Sequence, residues 1–493
     1  MRRPGASQRA ARLLATQGLT RLTRRPGLDP PVLALYTSGR ANLLGAAWLA
    51  RSSTGAGLIP MTDRLLLMAD RLVDGTGRPP VERAFVAIEG ERIVAAGPVD
   101  GSKDLRSDAR QVTHPGCTLL PGLVDSHVHL TFSASPIPFK QLQEDSDLRL
   151  ALTGVINARA ALLAGVTTVR DLGARGRITL ELRDAVHSGL VPGPRILAVG
   201  RPITSPGGHC HFLGGVARGV EAVSRLAEEL IEEGVDAIKV MGTGGNMTEG
   251  SDPLEAQFSV AELREVVRVA GAAGRRVTVH ARGVDGMRRA VEAGVNGIEH
   301  ARMEVSPGQW GFDDRLAQAM ARQGITAAPT LAASFRASQA KAAGARVGLR
   351  EGMVPIPVRQ QNARRLREEG VRVVVGTDAG AALARFDEAV HVELELLVAA
   401  GWTPLEAIEA GTRGAAAAIG IQQEVGTIEP GKVADLVVVR GDPSRSISDV
   451  RHVEQVFQRG RLVASGGQLL DDGRPLPWPL GDIAERRSLW DGL

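Results

Sequence analysis

The sequence predicts an α/β chain: a (β/α)8 TIM barrel with a small β-sandwich domain built from segments on either side of it. Three observations lead there. Eight apolar, β-branched runs alternate with Ala/Leu/Glu/Arg stretches of helical character through the middle of the chain. Several of those stretches stop at a glycine that the next run follows at once, as at Gly234, Gly294, Gly324 and Gly370. Short strand-like segments with Gly and Asp turns occupy both flanks, and chain ends often lie close together.

In chain order, residues 1–60 read as a basic extension, and Met61 opens the regular pattern as a candidate start. Residues 61–120 hold the runs Arg64–Met68, Phe85–Ile88, Arg92–Ala96 and Cys117–Leu119, with turns at Asp74-Gly75 and Glu89-Gly90. The barrel spans 121–420. Its strands are expected at Thr118–Val124, Thr167–Arg170, Arg195–Val199, Ala237–Met241, Val277–His280, Gly297–His300, Thr326–Pro329 and Val371–Gly376. Helices such as Val220–Glu233, Val260–Ala273 and Val284–Ala293 fall between them. Residues 421–475 return to short strands, Ala434–Arg440, His452–Gln458 and Arg461–Ala464, to complete the small domain, and 476–493 form a tail. A doubly wound open sheet is the alternative arrangement of the same units. The stretch Asp387–Leu397 reads as core, with a subunit contact as its other use.

The net charge of +4 is unevenly placed. Residues 1–60 carry nine arginines against Asp29 alone, a net +8, which leaves −4 for the rest. An acidic body does not offer the basic surface that nucleic acid requires. Cys117 and Cys210 are the two cysteines, too few for a disulfide scaffold or a thiolate zinc site. No apolar run reaches the roughly 18–20 residues that cross a membrane. The run Ala41–Ala50 lies late for a signal peptide, so a cytoplasmic location is expected, with targeting by the basic segment as the other reading. The chain has five lysines against 54 arginines, so a lysine inside an apolar strand calls for an explanation.

Function in a parallel barrel collects at the C-terminal ends of the strands. The first run leads into Asp125-Ser126-His127-Val128-His129, and alternate residues of a strand face one side. His127 and His129 can therefore share one metal, although a pair of satisfied core histidines would read the same way. Lys239 lies inside the fourth run, where an unpaired ammonium is costly. One use of such a lysine is a carbamate formed with CO2, whose two oxygens bridge two cations; the bland alternative is a head that reaches solvent. His280, His300 and Asp378 end the fifth, sixth and eighth runs. Together these six residues form a nitrogen and oxygen ligand set without thiolate, which suits zinc or a similar divalent ion.

The segments PGLVDSHVHL (121–130), GVTTVRDLG (165–173), DAIKVMGTGG (236–245), VTVHARG (277–283), GIEH (297–300), VVVGTDAG (373–380) and VGTIEPGKVADLVVVRGDP (425–443) resemble the amidohydrolase superfamily. The resemblance covers about 61–470. PGGHCHFLGG (206–215), TGGN (243–246) and AQFSVAELREVV (256–267) point to its imidazolonepropionase-like branch, with Xaa-Pro dipeptidases (prolidases) and ochratoxinase-type amidases. The resemblance implies His127, His129 and Asp378 on one metal, His280 and His300 on a second, and carboxylated Lys239 between them. It implies a metal-bridged hydroxide as nucleophile and Asp378 as the proton shuttle to the leaving nitrogen. Imidazolonepropionase and the amine deaminases of the superfamily use one metal and lack the bridging lysine, so Lys239 argues against both activities.

The expected reaction is hydrolysis of a C–N bond in a small molecule: a dipeptide of Xaa-Pro type or an N-acyl amino acid. The alternatives are a cyclic amide, a lactone or an organophosphate at the same site, and a non-catalytic assembly protein on this fold, for which eroded ligands are expected. A homo-oligomer is expected, with no nucleic-acid or membrane partner. Around the site, His209 and His211 sit in a Gly-rich loop after the third run, and His209 is the better candidate to act on substrate. Arg282, two residues past His280, can bind a substrate carboxylate, unless it is one more solvated arginine. Gly242, Gly244 and Gly245 leave room for substrate beside the backbone. Asp171 reads either as a partner of a ligand histidine or as a helix cap. His114, His187, His391 and His452 fall outside the pattern.

Overall fold

The computed structural model describes residues 64–470, except 246–247, 307–308, 346–354 and 382. The extension expected at 1–60 and the tail expected at 476–493 lie outside the described residues. Four strands come first: β1 (Arg64–Leu72), β2 (Val81–Glu89), β3 (Arg92–Pro98) and β4 (Arg110–Pro121). The middle of the chain supplies β5 (Leu123–Val128), β6 (Val166–Asp171), β7 (Arg195–Ala198), β8 (Ala237–Met241), β9 (Arg276–Gly283), β10 (Gly297–Ser306), β11 (Gln309–Trp310) and β12 (Thr326–Ala328). The last are β13 (Leu436–Arg440), β14 (Val453–Gln458), β15 (Arg461–Ser465) and β16 (Gln468–Leu469).

The two flanks share one eight-stranded sheet in the order β16-β15-β14-β13-β4-β1-β2-β3. The join is the antiparallel pair β4–β13, where Leu119 faces Val438 and Leu120 faces Val437. Leu67, Val86, Ile93, Leu119, Leu436, Val438 and Phe457 pack in one apolar cluster. The sheet also curls back on itself. Ile93 N donates to Lys432 O at 2.9 Å and Ala434 N to Glu91 O at 2.8 Å.

The middle strands form a TIM-barrel-like α/β domain. β5-β6-β7 and β8-β9-β10-β12 pair in parallel, and β11 turns back on β10. Further hydrogen bonds join the two sets: Asp236 N to Ala198 O (2.9 Å) on one side, and Val374 N to Ala327 O (2.9 Å) with Ser126 N to Val375 O (3.1 Å) on the other. The helices between them are α1 (Pro138–Glu144), α2 (Asp147–Leu163), α3 (Ile178–His187), α4 (Val220–Glu232), α5 (Val260–Ala272), α6 (Val284–Ala293), α7 (Asp314–Gln323), α8 (Leu331–Ala342), α9 (Ile356–Glu368) and α10 (Ala389–Ala399). Local chemistry fixes several of their ends. Ser259 and Glu262 form a reciprocal capping box at the start of α5. All four glycine stops, Gly234, Gly294, Gly324 and Gly370, take positive φ.

Two expected strands differ. The run 118–124 is broken: β4 ends at Pro121 and β5 begins at Leu123. Between them Gly122 passes so close to Thr167 that a Cβ would collide with its side chain. The run 371–376 makes isolated bridging bonds rather than a ladder, because Val375 N donates to Ala410 O instead of a neighbouring strand. The stretch 387–397 is core, with Val390, His391, Val392, Glu393 and Leu394 all buried.

Gly460 tests the curl of the outer sheet. It sits at φ +75° against the carbonyl of Gly90, where a Cβ would clash with backbone. Gly460→Ala is expected to cost at least about 1–3 kcal/mol, read as a fall in denaturation midpoint; an unchanged midpoint would contradict this packing.

Candidate active site

The ends of β5, β8, β9 and β10 and the turn after Val375 converge on one cavity. His127, His129, Lys239, His280, His300 and Asp378 all line it, and all are buried. Ligand atoms of His127, His300 and Asp378 lie within 4.8 Å of one another, close enough to hold one metal ion.

Backbone and side-chain partners fix which ring nitrogen each histidine offers. His127 turns Nδ1 to Glu299 Oε2 at 2.7 Å and presents Nε2 to Asp378 Oδ1 at 3.5 Å. His129 turns Nδ1 to Gly173 O (3.1 Å) and Nε2 to Asp378 Oδ1 (3.3 Å). His300 Nδ1 meets Thr330 Oγ1 at 2.8 Å, and His280 Nε2 meets Gly244 O at 3.1 Å. His280 and His300 each keep one nitrogen free of these contacts, and His127 and His129 each turn their second nitrogen to Asp378; one anchored nitrogen per ring is the arrangement that orients metal-binding imidazoles. Burial, with Lys239 next, holds the His127 pKa down at about 4. Burial drives His280 and His300 well below the usual range, helped by His209 and by His280 respectively. Neutral imidazoles are the form that binds metal.

Lys239 is the anomaly. It is 1% exposed, and its Nζ has no hydrogen-bond partner among the described residues. Burial pulls its pKa down to about 8, against the opposing pull of Glu299. Glu299 is the countercharge of the site. Burial alone would raise its pKa, but His127, Arg170 and Lys239 outweigh it and hold the carboxylate ionised. It accepts from Arg170 Nη2 at 2.8 Å and from Thr278 Oγ1 at 2.5 Å, so one carboxylate ties β5, β6, β9 and β10 together.

Other groups hold the ligand-bearing turns. Asp125 accepts from Thr377 N (3.0 Å) and Thr377 Oγ1 (2.6 Å), fixing the turn that carries Asp378. Asp171 accepts from Leu130 N (2.7 Å) and Gly173 N (3.2 Å), so it braces the chain beside His129. Thr330, the partner of His300, is held by Arg359, whose Nη2 donates to Pro329 O (2.6 Å) and Thr330 O (2.9 Å). Glu393 of α10 accepts from Leu331 N (3.0 Å) and Ala332 N (2.6 Å), capping α8 from inside the core. Burial raises its pKa to about 8.

The remaining sequence candidates divide. His209 lines the cavity, with Nδ1 2.9 Å from Thr248 Oγ1. Gly245 lies against that ring, where a Cβ would collide with it. His211 is exposed, turns Nδ1 to Gly208 O at 3.0 Å and is not among the described residues that line the cavity. Arg282 lines the cavity, but Glu304 occupies its fork, with contacts of 2.7, 3.1 and 3.2 Å. Of the outlying histidines, His391 is buried against Ala164 O at 2.9 Å. Sequence reasoning assigned no role to Glu299, Arg170, Thr330 or Arg302. The available signal was the one that exposed Lys239: a charge inside an apolar strand, present at Arg170 and Glu299.

A β/α domain with imidazoles, a carboxylate and a buried lysine at its strand ends defines a hydrolase of amidohydrolase type. The chain belongs to the amidohydrolase family, whose model matches residues 118–463. It is 27% identical to ochratoxinase of Aspergillus niger over 454 residues, covering 84% of this chain and 88% of that one. It is 27% identical to imidazolonepropionase of Symbiobacterium thermophilum over 456 residues, 83% of this chain and 98% of the relative. Among solved structures, a Xaa-Pro dipeptidase with methionine bound in its active site matches at a TM-score of 0.70 and 29% identity, over 82% of this chain and all of that one. No helix among the described residues is long and apolar enough to cross a membrane.

Two predictions follow from the buried charges. Five buried imidazoles, His127, His209, His280, His300 and His391, have lowered pKa values, so the unfolded chain binds more protons below pH 6.5. The half-buried His114 adds a sixth, while Asp125, Asp171, Glu393, Glu409 and Asp435, whose values are raised, act in the opposite sense but are fewer. The metal-free protein should therefore melt at a lower temperature at pH 5 than at pH 7; a higher Tm at pH 5 would contradict these environments. Glu299→Gln should weaken metal binding by about 10–100-fold, measured by chelator competition.

Proposed function

We propose that this chain is an amide hydrolase that works with two divalent ions, zinc being the expected metal. Its substrates are N-acyl amino acids or dipeptides, including those with proline on the leaving side. The observation that carries the reading is the Lys239 amine, buried, without a hydrogen-bond partner among the described residues and sharing one cavity with four histidines and Asp378. An amine with its pKa near 8 has an accessible neutral form. Its nitrogen attacks the carbon of CO2, an N–C bond forms, a proton leaves, and the carbamate offers two oxygens. Nitrogen and oxygen donors without thiolate suit divalent ions such as zinc. His127, His129 and Asp378 would hold one, His280 and His300 the other, with the carbamate of Lys239 shared.

When bound, the ions polarise the scissile carbonyl and lower the pKa of water. Asp378 supplies the proton transfers. Burial raises its pKa, but His129, His127 and Lys239 outweigh that and keep it ionised. It takes a proton from the attacking water and hands it to the leaving nitrogen. Burial, followed by Arg282, holds the His209 pKa near 3, so this ring meets substrate as a neutral imidazole. Thr248 Oγ1, which accepts from Cys210 N at 3.1 Å, can donate to His209 Nδ1, which leaves the ring hydrogen on Nε2, 3.6 Å from Cys210 Sγ.

Similarity to an ochratoxinase and to a Xaa-Pro dipeptidase supports the amide reading. The same reading takes 121–420 as a closed (β/α)8 barrel, with 61–120 and 421–475 as a small sandwich. The shared apolar cluster and the curl of the outer sheet support the latter.

Metal analysis of purified protein should give close to two ions per chain; none, or a firm single ion, contradicts the proposal. Lys239→Ala should lose the second ion and turnover of an N-acyl amino acid and dipeptide panel with zinc or manganese present. Full activity in that variant would refute the carbamate.

A further inference from the structure

Three buried guanidinium groups, Arg282, Arg302 and Arg359, cluster at or behind one wall of the cavity. Arg359 lies behind the wall, engaged with the Pro329 and Thr330 carbonyls. Arg282 is engaged by Glu304. That carboxylate is committed to Arg282 and stays 3.8 Å from Arg302 Nη1, too far to hydrogen-bond it.

Arg302 is left short of partners. Its side chain is 9% exposed, its Nη2 donates to Ser334 Oγ at 3.3 Å, and its Nε has no partner among the described residues. It lines the same cavity as Lys239 and Asp378, beside the small side chains of Ala333, Ser334 and Ala337 on α8. Asn362 Nδ2 donates to the Arg302 carbonyl at 2.9 Å, which fixes the backbone at this point. Glu304 is thus a countercharge that Arg302 shares with Arg282, and a buried guanidinium so under-compensated is unfavourable unless a ligand brings a carboxylate. A planar fork matches a carboxylate better than it matches a point charge.

We propose that Arg302 is the receptor for a carboxylate carried by the substrate, and that Arg282 with Glu304 is a strut that shapes the wall. The carboxylate-binding role expected of Arg282 thus passes to a residue on the neighbouring strand. This inference rests on the hydrolase reading above and names the residue that recognises the carboxylate its substrates carry.

The test compares an N-acetyl amino acid with its carboxamide on the metal-loaded full chain, by kcat/KM and by calorimetric affinity. The wild type should favour the acid, and Arg302→Met should lose about 30–1,000-fold on the acid with a much smaller loss on the amide. Arg302→Lys, which keeps the charge, should restore part of the preference. An unchanged preference in Arg302→Met, an equal loss on both ligands, or a preference that collapses in Arg282→Lys but not in Arg302→Met would overturn the proposal. If the wild type hydrolyses neither ligand, the hydrolase reading fails, and the calorimetric comparison still decides the role of Arg302. Affinity for the acid that depends on Arg302 supports it, and equal affinities overturn it.

Discussion

An amine held out of water among imidazoles and guanidinium groups is the constraint on which the rest of this structure depends. Lys239 cannot reach solvent, and Glu299 is the buried carboxylate that offsets it and Arg170 together. That carboxylate has little freedom. It fixes a ring nitrogen of His127, engages Arg170 and accepts from Thr278, so the electrostatic balance of the cavity and the alignment of four strands are one set of bonds. Breaking a buried pair of this kind costs far more than a surface ion pair, because the partner is left uncompensated.

Much of the backbone strain lies near the chemistry. Of the ten non-glycine residues at positive φ among the described residues, Cys210, His300, Ala301, Met303, Thr330 and Asp378 lie in β10 or in turns that edge the cavity or brace its ligands, whereas Arg83 and Arg459 lie in or beside the outer sheet. Such conformations persist only where surrounding contacts over-determine them. Here those contacts are visible: Asp125 on the Thr377–Asp378 turn, Arg359 on Thr330, and Glu393 on the first turn of α8. The outer helices thus act on the cavity at one remove, through carbonyls and amides.

Much of this was legible in the sequence because it follows from periodicity. Alternation along β5 puts His127 and His129 on one side, and Lys239 stands out as a charge in an apolar run. The glycine stops carry the helix–strand rhythm. What was not legible depends on contacts between strands. Arg282 looks available from its spacing to His280; that Glu304 takes its fork depends on how β9 and β10 lie together. The run at 371–376 has strand composition, yet a carbonyl at Ala410 captures its amide and breaks the ladder. His211 shares a loop with His209, but the turn at Cys210 directs it to Gly208 instead of the cavity.

The central claim is that the Lys239 amine does not remain an amine. Protein loaded with zinc in the presence of ¹³C-labelled bicarbonate should show a carbamate carbon resonance by NMR that disappears in Lys239→Ala. Metal-loaded wild-type protein with no such resonance, or a resonance that persists in the variant, would contradict the account.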